Sequence, residues 1–303
     1  MSKELAPVVL FVYNRPEHTK RTIEALSQNY FAKDTDIYIY SDAPKSYKQI
    51  EKVDKVRSFI HQASGFKSVT ICEAKKNKGL AKSVISGVTE VINKHGKIIV
   101  LEDDLVTSKY FLRFMNEALD FYIKDSFIWS ISGYQFPFDV PRAYQKTVYA
   151  SYRSSSWGWA TWIDRWKTID WEIKDYLKYR YNPFRILKFC KGGTDLDKML
   201  RYQMKGKIDS WAIRWCYNQS MQNKFTVYPI KSLVNSIGTD GSGTHCDQTS
   251  SRFKVELVDY YEYSFDHDIR PDKEVMRRFR KVVDRSPMRK IEQIANRILK
   301  KSI

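Results

Sequence analysis

Cysteine is scarce in this chain, and long apolar runs are absent. The four cysteines (Cys72, Cys190, Cys216 and Cys246) are widely spaced and form no Cys-x-x-Cys pair, which argues against a structural zinc site and a disulfide scaffold. No apolar stretch approaches the about 20 residues that a membrane-spanning helix needs. Residues 1–7 lack the charged head, apolar run and cleavage site of a signal peptide. We therefore expect a cytoplasmic protein that is soluble or peripheral to the inner face of the cell membrane.

Negative charge is also in short supply, with 35 Asp and Glu against 52 Lys and Arg, a formal net charge of +17. Such an excess indicates a polyanionic partner: nucleic acid, an anionic membrane face or a phosphorylated substrate. Residues 270–303 are densest, with twelve basic against four acidic residues. Because 266–303 is also amphipathic, we interpret it as a basic helical tail whose 270–303 stretch contacts an anionic membrane surface. The alternative is a solvated helix that packs on the domain, residues 1–265.

The first hundred residues alternate between strand-like and helix-like patterns. Strands are predicted at 8–13, 37–40, 68–72 and 97–101, and helices at 16–28, 48–63 and 79–94. Further helices are predicted at 110–123 and 183–205, and a further strand at 128–133. This alternation predicts an α/β fold, a mostly parallel twisted sheet covered by helices on both faces, with the C-terminal basic helical extension.

Polar residues follow three of these strands, at the edge where parallel sheets bind ligands. They are Asn14-Arg15, Ser41-Asp42 and Glu102-Asp103-Asp104. Three adjacent carboxylates repel one another unless a cation or water neutralises them. Mn²⁺ and Mg²⁺ prefer a few carboxylate oxygens together with phosphate oxygens. The pattern therefore favours a metal site, with a solvated acidic turn as the alternative.

Several motifs resemble one known family. Val100–Leu105 resembles the Glu-Asp-Asp-Leu metal motif of the α-mannoside N-acetylglucosaminyltransferases, which have the GT-A fold. Pro7–Arg15 resembles the family's opening strand and turn, Ser156–Trp159 its acceptor segment, and Asp209–Arg214 the segment with its catalytic base. The resemblance covers about residues 7–246 in the same order. It implies a metal-dependent, inverting glycosyltransferase that moves a hexosyl or N-acetylhexosaminyl group from a nucleotide sugar, with a UDP-sugar favoured.

The resemblance also implies roles for individual residues. Asp104 would be the metal ligand, for Mn²⁺ or Mg²⁺, and Asp209 the catalytic base. The nucleotide sugar would be bound by Tyr13, Asn14, Arg15, Asp42, Lys78, Gly79, Glu102, Asp103 and His245. The acceptor, a glycan or a lipid-linked molecule of bacterial surface-polysaccharide or lipopolysaccharide synthesis, would be bound by Trp157, Gly158, Trp159 and Trp211. Residues 1–106 would form the nucleotide-sugar half and 107–265 the acceptor half.

This sequence departs from the family in the base segment, where Ser210 replaces an acid and Ala212-Ile213 replace a methionine. Alternatives also exist for single features: core packing for the tryptophans, a plain turn for Lys78-Gly79, and a surface loop instead of a donor-closing lid for 238–244. A nucleotidyltransferase acting on sugar phosphates is a rival function, but residues 13–16 lack its Gly-rich basic loop. A nucleic-acid or other anionic-surface binding protein is the second rival. The chain has no RNP, KH or zinc signature, so we expect no nucleic-acid partner.

Overall fold

The apolar runs near the start of the chain form four parallel strands side by side. The computed structural model describes residues 4–238, 240, 253–258 and 262–284. The strands in this part are β1 (Val8–Val12), β2 (Asp36–Ser41), β3 (Ser68–Glu73), β4 (Lys97–Glu102), β5 (Leu105–Thr107), β6 (Ile128–Ser132), β7 (Val148–Ser151), β8 (Trp159–Trp162), β9 (Phe225–Pro229) and β10 (Val234–Ser236). Eight of them form one sheet in the order β3-β2-β1-β4-β8-β6-β9-β7, and β5 pairs with β10.

Four of the seven pairings in the large sheet are parallel. The predicted parallel arrangement is confirmed for β3-β2-β1-β4, and β6 also pairs with β9 in parallel. The other pairings, which involve β7 and β8, are antiparallel. Phe11 is opposite both Tyr40 and Glu102, so the residues that follow β1, β2 and β4 emerge at the same edge.

Helices cover both faces of the sheet, as the alternation predicts. They are α1 (Pro16–Ser27), α2 (Ile50–Ile60), α3 (Leu80–His95), α4 (Phe111–Phe121), α5 (Ile163–Trp166), α6 (Tyr176–Arg180), α7 (Pro183–Phe189), α8 (Asp195–Met204), α9 (Trp211–Met221) and α10 (Lys273–Val283). In β1, Val8 and Leu10 pack into the core with α1, α2 and α4. Val9 and Phe11 point the other way, into a core with α3 and α9. The two-residue period of the strand explains this division.

One predicted helix is two helices in the structure. The 183–205 stretch divides into α7 and α8, with a 3-10 turn at Cys190–Gly192 between them. Gly193 follows this turn at φ +133°, a backbone conformation that only glycine adopts readily. The Gly192-Gly193 pair therefore ends the first helix and redirects the chain into the second.

The described part of the basic tail packs on the domain. In α10, Val275, Met276, Phe279 and Val283 are buried in the core of the sheet, and the Phe279 ring lies 4.8 Å from that of Phe136. An interfacial helix would present this apolar face to lipid, whereas here the protein itself covers it. None of the described helices is long and apolar enough to cross a bilayer.

Candidate active site

The acidic residues after β4 meet an arginine from the turn after β1. Both Nη atoms of Arg15 donate to Oδ2 of Asp104, at 2.9 and 3.0 Å. Nη1 also lies 3.5 Å from Oδ1 of Asp103, whose Oδ2 accepts from the backbone N–H of Tyr13 at 3.3 Å. The structure therefore brings together four residues that the sequence assigns to one site.

This cluster is short of positive charge. Burial, with the charges of Asp104 and Asp103, raises the pKa of Glu102 to about 8. Burial, with the charge of Asp104, raises the pKa of Asp103 to about 7, although Arg15 opposes the shift. Burial also raises the pKa of Asp104. One guanidinium does not neutralise three carboxyl groups, of which Asp103 is buried and the other two are half-buried, so the cluster favours an added cation.

Two further observations test whether a divalent cation with a diphosphate fits here. Arg15 Nε is buried and has no hydrogen-bond partner within the described residues, so one donor of the guanidinium remains for an anion. A Cβ on Gly238 would lie 1.9 Å from Oδ2 of Asp104, so the backbone closes over this carboxylate. In the described part of the chain, no three His, Cys, Asp or Glu side chains form a ready metal cage. The residues fit an ion that takes one or two carboxylates and completes its shell with phosphate and water, as Mg²⁺ commonly does.

The structure also brings together Asp42, Lys78 and Gly79, which the sequence predicts to bind the nucleotide. In the structure, however, they bond to one another. The Asp42 carboxylate accepts from the backbone N–H groups of Lys78 and Gly79 at 2.9 Å each, and from that of Ala43. Gly79 has φ +76°, which favours glycine. Asp42 therefore shapes the turn before α3, and its influence on a nucleotide would pass through that turn.

Tyr13 ties a neighbouring loop to the end of β1. Its hydroxyl donates to Oε1 of Gln49 at 2.5 Å and accepts from the backbone N–H of Lys45 at 2.9 Å. Asn14 lies between this tyrosine and Arg15, half-buried at the same edge. The predicted site residues 13–15 therefore all lie at the end of β1.

Two residues of this region are not indicated by the sequence pattern. One is Gln49, described above. The other is His18, whose Nε2 lies 3.1 Å from Oδ2 of Asp240. The sequence signal for His18 is its spacing. It lies in the first turn of α1, three residues after Arg15, which is the N-cap residue of that helix. The predicted site residue His245 and the rest of the predicted lid, 239 and 241–244, lie outside the described residues.

The predicted base Asp209 lines a cavity of about 550 Å³ beside α3, together with Lys82, Ile85, Ser86, Thr89, Glu90 and Arg214. Arg214 Nη2 donates to Oδ1 of Asp209 at 3.0 Å. Ser210 caps α9 by accepting from the Ile213 N–H, so this departure from the family places Asp209 just outside the helix. Trp211, two residues after Asp209, is close enough to Glu102 to oppose the rise in the pKa of that carboxyl group. The start of α9 therefore links the cavity to the acidic cluster.

The predicted acceptor residues differ in accessibility. Trp159 is 1% exposed and its ring stacks on those of Trp166 and Trp211. Trp211 is buried too, so neither ring offers a face for sugar stacking, and core packing accounts for both. Trp157 is half-buried and makes an edge contact with Tyr134 at 4.6 Å. Of the predicted stacking rings, it alone stays accessible.

Gly158 is required for packing. Its φ is +61°, and a Cβ there would lie 2.7 Å from Cγ2 of Val234. We expect Gly158→Ala to lower the free energy of unfolding by about 3 kcal/mol, measured by urea denaturation, from overpacking plus backbone strain. Gly206→Ala is the control, because Gly206 has φ +64° with no atom within 4 Å of its Cβ position, and should cost about 1 kcal/mol. Equal decreases in the free energy of unfolding for the two variants would contradict the packing role of Gly158.

Comparison with known proteins yields distant structural similarity. No protein-family model matches the chain, and no curated protein matches its sequence. The fold is similar to S. aureus TarS 1–349, with 11% identity and a TM-score of 0.40 over 76% of this chain and 60% of that one. It is also similar to the mannosyltransferase PcManGT from Pyrobaculum calidifontis in complex with GDP-Man and Mn²⁺, with 10% identity and a TM-score of 0.37 over 73% and 74%. The match thus spans about 60% of the length of the TarS fragment.

Proposed function

We propose that this protein is a GT-A-type glycosyltransferase that transfers a sugar from a nucleoside diphosphate donor, with UDP-sugars favoured, to a hydroxyl of a glycan or lipid-linked acceptor. The observation that carries the proposal is the buried cluster of Glu102, Asp103 and Asp104 against Arg15. Its deficit of positive charge and the unpaired Nε of Arg15 suit a diphosphate that arrives with a divalent cation. An acceptor of surface-polysaccharide or lipopolysaccharide synthesis would place the enzyme at the inner face of the membrane.

The donor half, residues 1–106, would bind and orient the nucleotide sugar. Asp104 would hold Mn²⁺ or Mg²⁺, which supplies positive charge to a leaving nucleoside diphosphate. Arg15 would bind a phosphate oxygen through Nε and keep Asp104 in place through its Nη atoms. Tyr13, Asn14 and the Lys78-Gly79 turn would line the nucleotide, while Glu102 and Asp103 would contact the ribose or the sugar. The backbone at Gly238 would exclude water from the reacting groups.

The acceptor half, residues 107–265, would supply the base. Asp209 faces the 550 Å³ cavity, and its Oδ2 would take the proton of the attacking hydroxyl as the new bond forms. Glu90, the other carboxylate of the cavity, accepts from Tyr40 and Lys94, so it is already engaged. Among the described residues that line the cavity, Asp209 is thus the one carboxylate left to act as a base, which favours one displacement with inversion at the sugar carbon. Trp157 would contact the acceptor at the rim.

The acidic cluster makes cation binding depend on pH. Folding raises the pKa of Glu102 from 4.5 to about 8 and that of Asp103 from 3.8 to about 7. The folded chain therefore keeps protons that the unfolded chain loses, and these two groups lower metal-free stability progressively as the pH rises from about 4 to about 8. A divalent cation binds the ionised carboxylates, so its stabilising effect should grow over the upper part of this range.

Melting curves with Mn²⁺ and nucleoside diphosphates test the proposed function. We expect Mn²⁺ with UDP to raise the melting temperature by about 5 °C at saturating ligand, and by more at about pH 8.5 than at about pH 6. UDP with a chelator should give a much smaller shift. The shift with GDP in place of UDP shows which nucleotide the site prefers. Identical shifts at both pH values, or no shift with any nucleotide, would count against a carboxylate-held cation.

A further inference from the structure

A group of large apolar side chains faces outward on α6 and α7. They are Leu177, Tyr181, Phe184 and Leu187, all exposed, with Tyr181 at 81% and Phe184 at 80%; we call them the α6–α7 patch. Leu177 is four residues before Tyr181, the residue that directly follows α6, and Phe184 and Leu187 are three apart on α7, so they share one side of that helix. Water solvates such side chains poorly, so the exposure of four of them on two successive helices indicates an interaction surface.

The patch is held outward by specific contacts. On the opposite side of the two helices, Tyr179 and Phe189 are buried against α9 residues such as Tyr217. The Asn182 side chain caps α7 by accepting from the Arg185 N–H at 3.1 Å. Because the inner side is already packed and the turn is capped, the outward side chains cannot turn inward to be buried.

Positive charge surrounds the patch. From Tyr176 to Thr194 the sequence has five Lys or Arg and no Asp or Glu. Arg185 pairs with Asp175, and Lys188 Nζ turns inward to the Met221 carbonyl at 3.1 Å. The remaining three, Lys178, Arg180 and Lys191, flank the apolar side chains. A partner for this surface is therefore anionic as well as apolar.

The described chain also ends beside this region. Oδ1 of Asp284 accepts from the backbone N–H of Thr194 at 2.8 Å, and a Cβ on Gly193 would lie 2.9 Å from Val283. Thr194 follows α7 by only five residues. The sequence from 285 to 303 adds six Lys or Arg and one Glu, and the residue before it, Asp284, lies beside Thr194.

We propose that the α6–α7 patch docks this protein on an anionic lipid surface. Tyr181 and Phe184 enter the headgroup region, where aromatic side chains are favoured. Lys178, Arg180 and Lys191 attract the negative headgroups. The apolar side of α10 is buried in the protein, so it is not free to insert in the same way. The proposal does not depend on the sugar-transfer chemistry.

Sedimentation of the full chain with vesicles tests this docking. We expect binding to phosphatidylcholine vesicles that contain phosphatidylglycerol, and little binding to phosphatidylcholine alone or at high salt. Tyr181→Ser/Phe184→Ser should weaken binding by at least about tenfold, because two inserted rings are lost. Tyr47→Ser is the matched control, since Tyr47 is 78% exposed outside the patch; its vesicle affinity should equal that of the wild type.

Because both substituted rings are exposed, the double variant should melt within about 2 °C of the wild type. A variant that ends at residue 284 lacks the basic segment but keeps the patch. It should still bind anionic vesicles, and adding Tyr181→Ser/Phe184→Ser should weaken that binding as well. Three results would overturn the proposal. They are absence of vesicle binding by the wild type, unchanged affinity in the double variant, and a wild-type dimer that the double variant dissociates without any effect on lipid.

Discussion

Asp104→Asn is expected to lower Mn²⁺-dependent transfer from a UDP-sugar by at least about a hundredfold. The neutral amide is a much weaker ligand for a hard cation, and Arg15 loses the carboxylate that it contacts at 2.9 and 3.0 Å. The leaving diphosphate would then develop charge without its counterion. Initial rates measured across a Mn²⁺ titration give both the lost turnover and any change in apparent metal affinity.

The matched control for this variant is Asp195→Asn. Asp195 also accepts from both Nη atoms of an arginine, Arg153, at 2.8 and 2.9 Å, through its two oxygens, and its side chain is similarly buried. Both variants should lose stability, because each leaves a buried arginine without its partner. Only Asp104→Asn should lose the response to Mn²⁺. Turnover by Asp104→Asn that matches that of the wild type at saturating Mn²⁺ would remove the basis of the proposed function.

Asp209→Asn is expected to lower kcat by about 10²- to 10⁴-fold with little change in the KM of the donor. The amide keeps the size of the side chain and can still accept from Arg214, but it cannot take the proton of the attacking hydroxyl. Binding of Mn²⁺ and UDP, measured by melting, should be unchanged, since the acidic cluster is intact. Single-turnover assays with a UDP-sugar and an acceptor separate the chemical step from product release.

Asp164→Asn provides the comparison for the base. Asp164 is 66% exposed and pairs with Arg165, as Asp209 is 68% exposed and pairs with Arg214. Its replacement should leave kcat within about twofold of the wild type, because surface pairs contribute little. The wild-type product should carry the inverted anomer. Full activity in Asp209→Asn would assign the base to another residue, and a retained anomer would rule out the single displacement.

The acidic cluster with Arg15 is the part of the site that local sequence predicts best. Short apolar runs such as 8–13 and 97–101 favour buried strands, and their parallel pairing brings Arg15 and Asp104 to one edge. The same reasoning brings Asp42 to that edge. It does not reveal that the Asp42 carboxylate is engaged by the backbone of Lys78 and Gly79, because such contacts depend on the path of a loop 36 residues away in sequence.

The amino-acid sequence by itself determined the alternation of strands and helices, the edge at which the polar loops meet and the identity of the acidic cluster. These follow from the periodicity of apolar residues and from the fixed geometry of parallel strands. Tertiary structure alone decided that Trp159 is enclosed, that α10 packs its apolar face inward and that Tyr181 and Phe184 face out. A tryptophan or an amphipathic helix has the same local sequence pattern whether protein, lipid or water covers it. Only long-range packing selects which surface is buried.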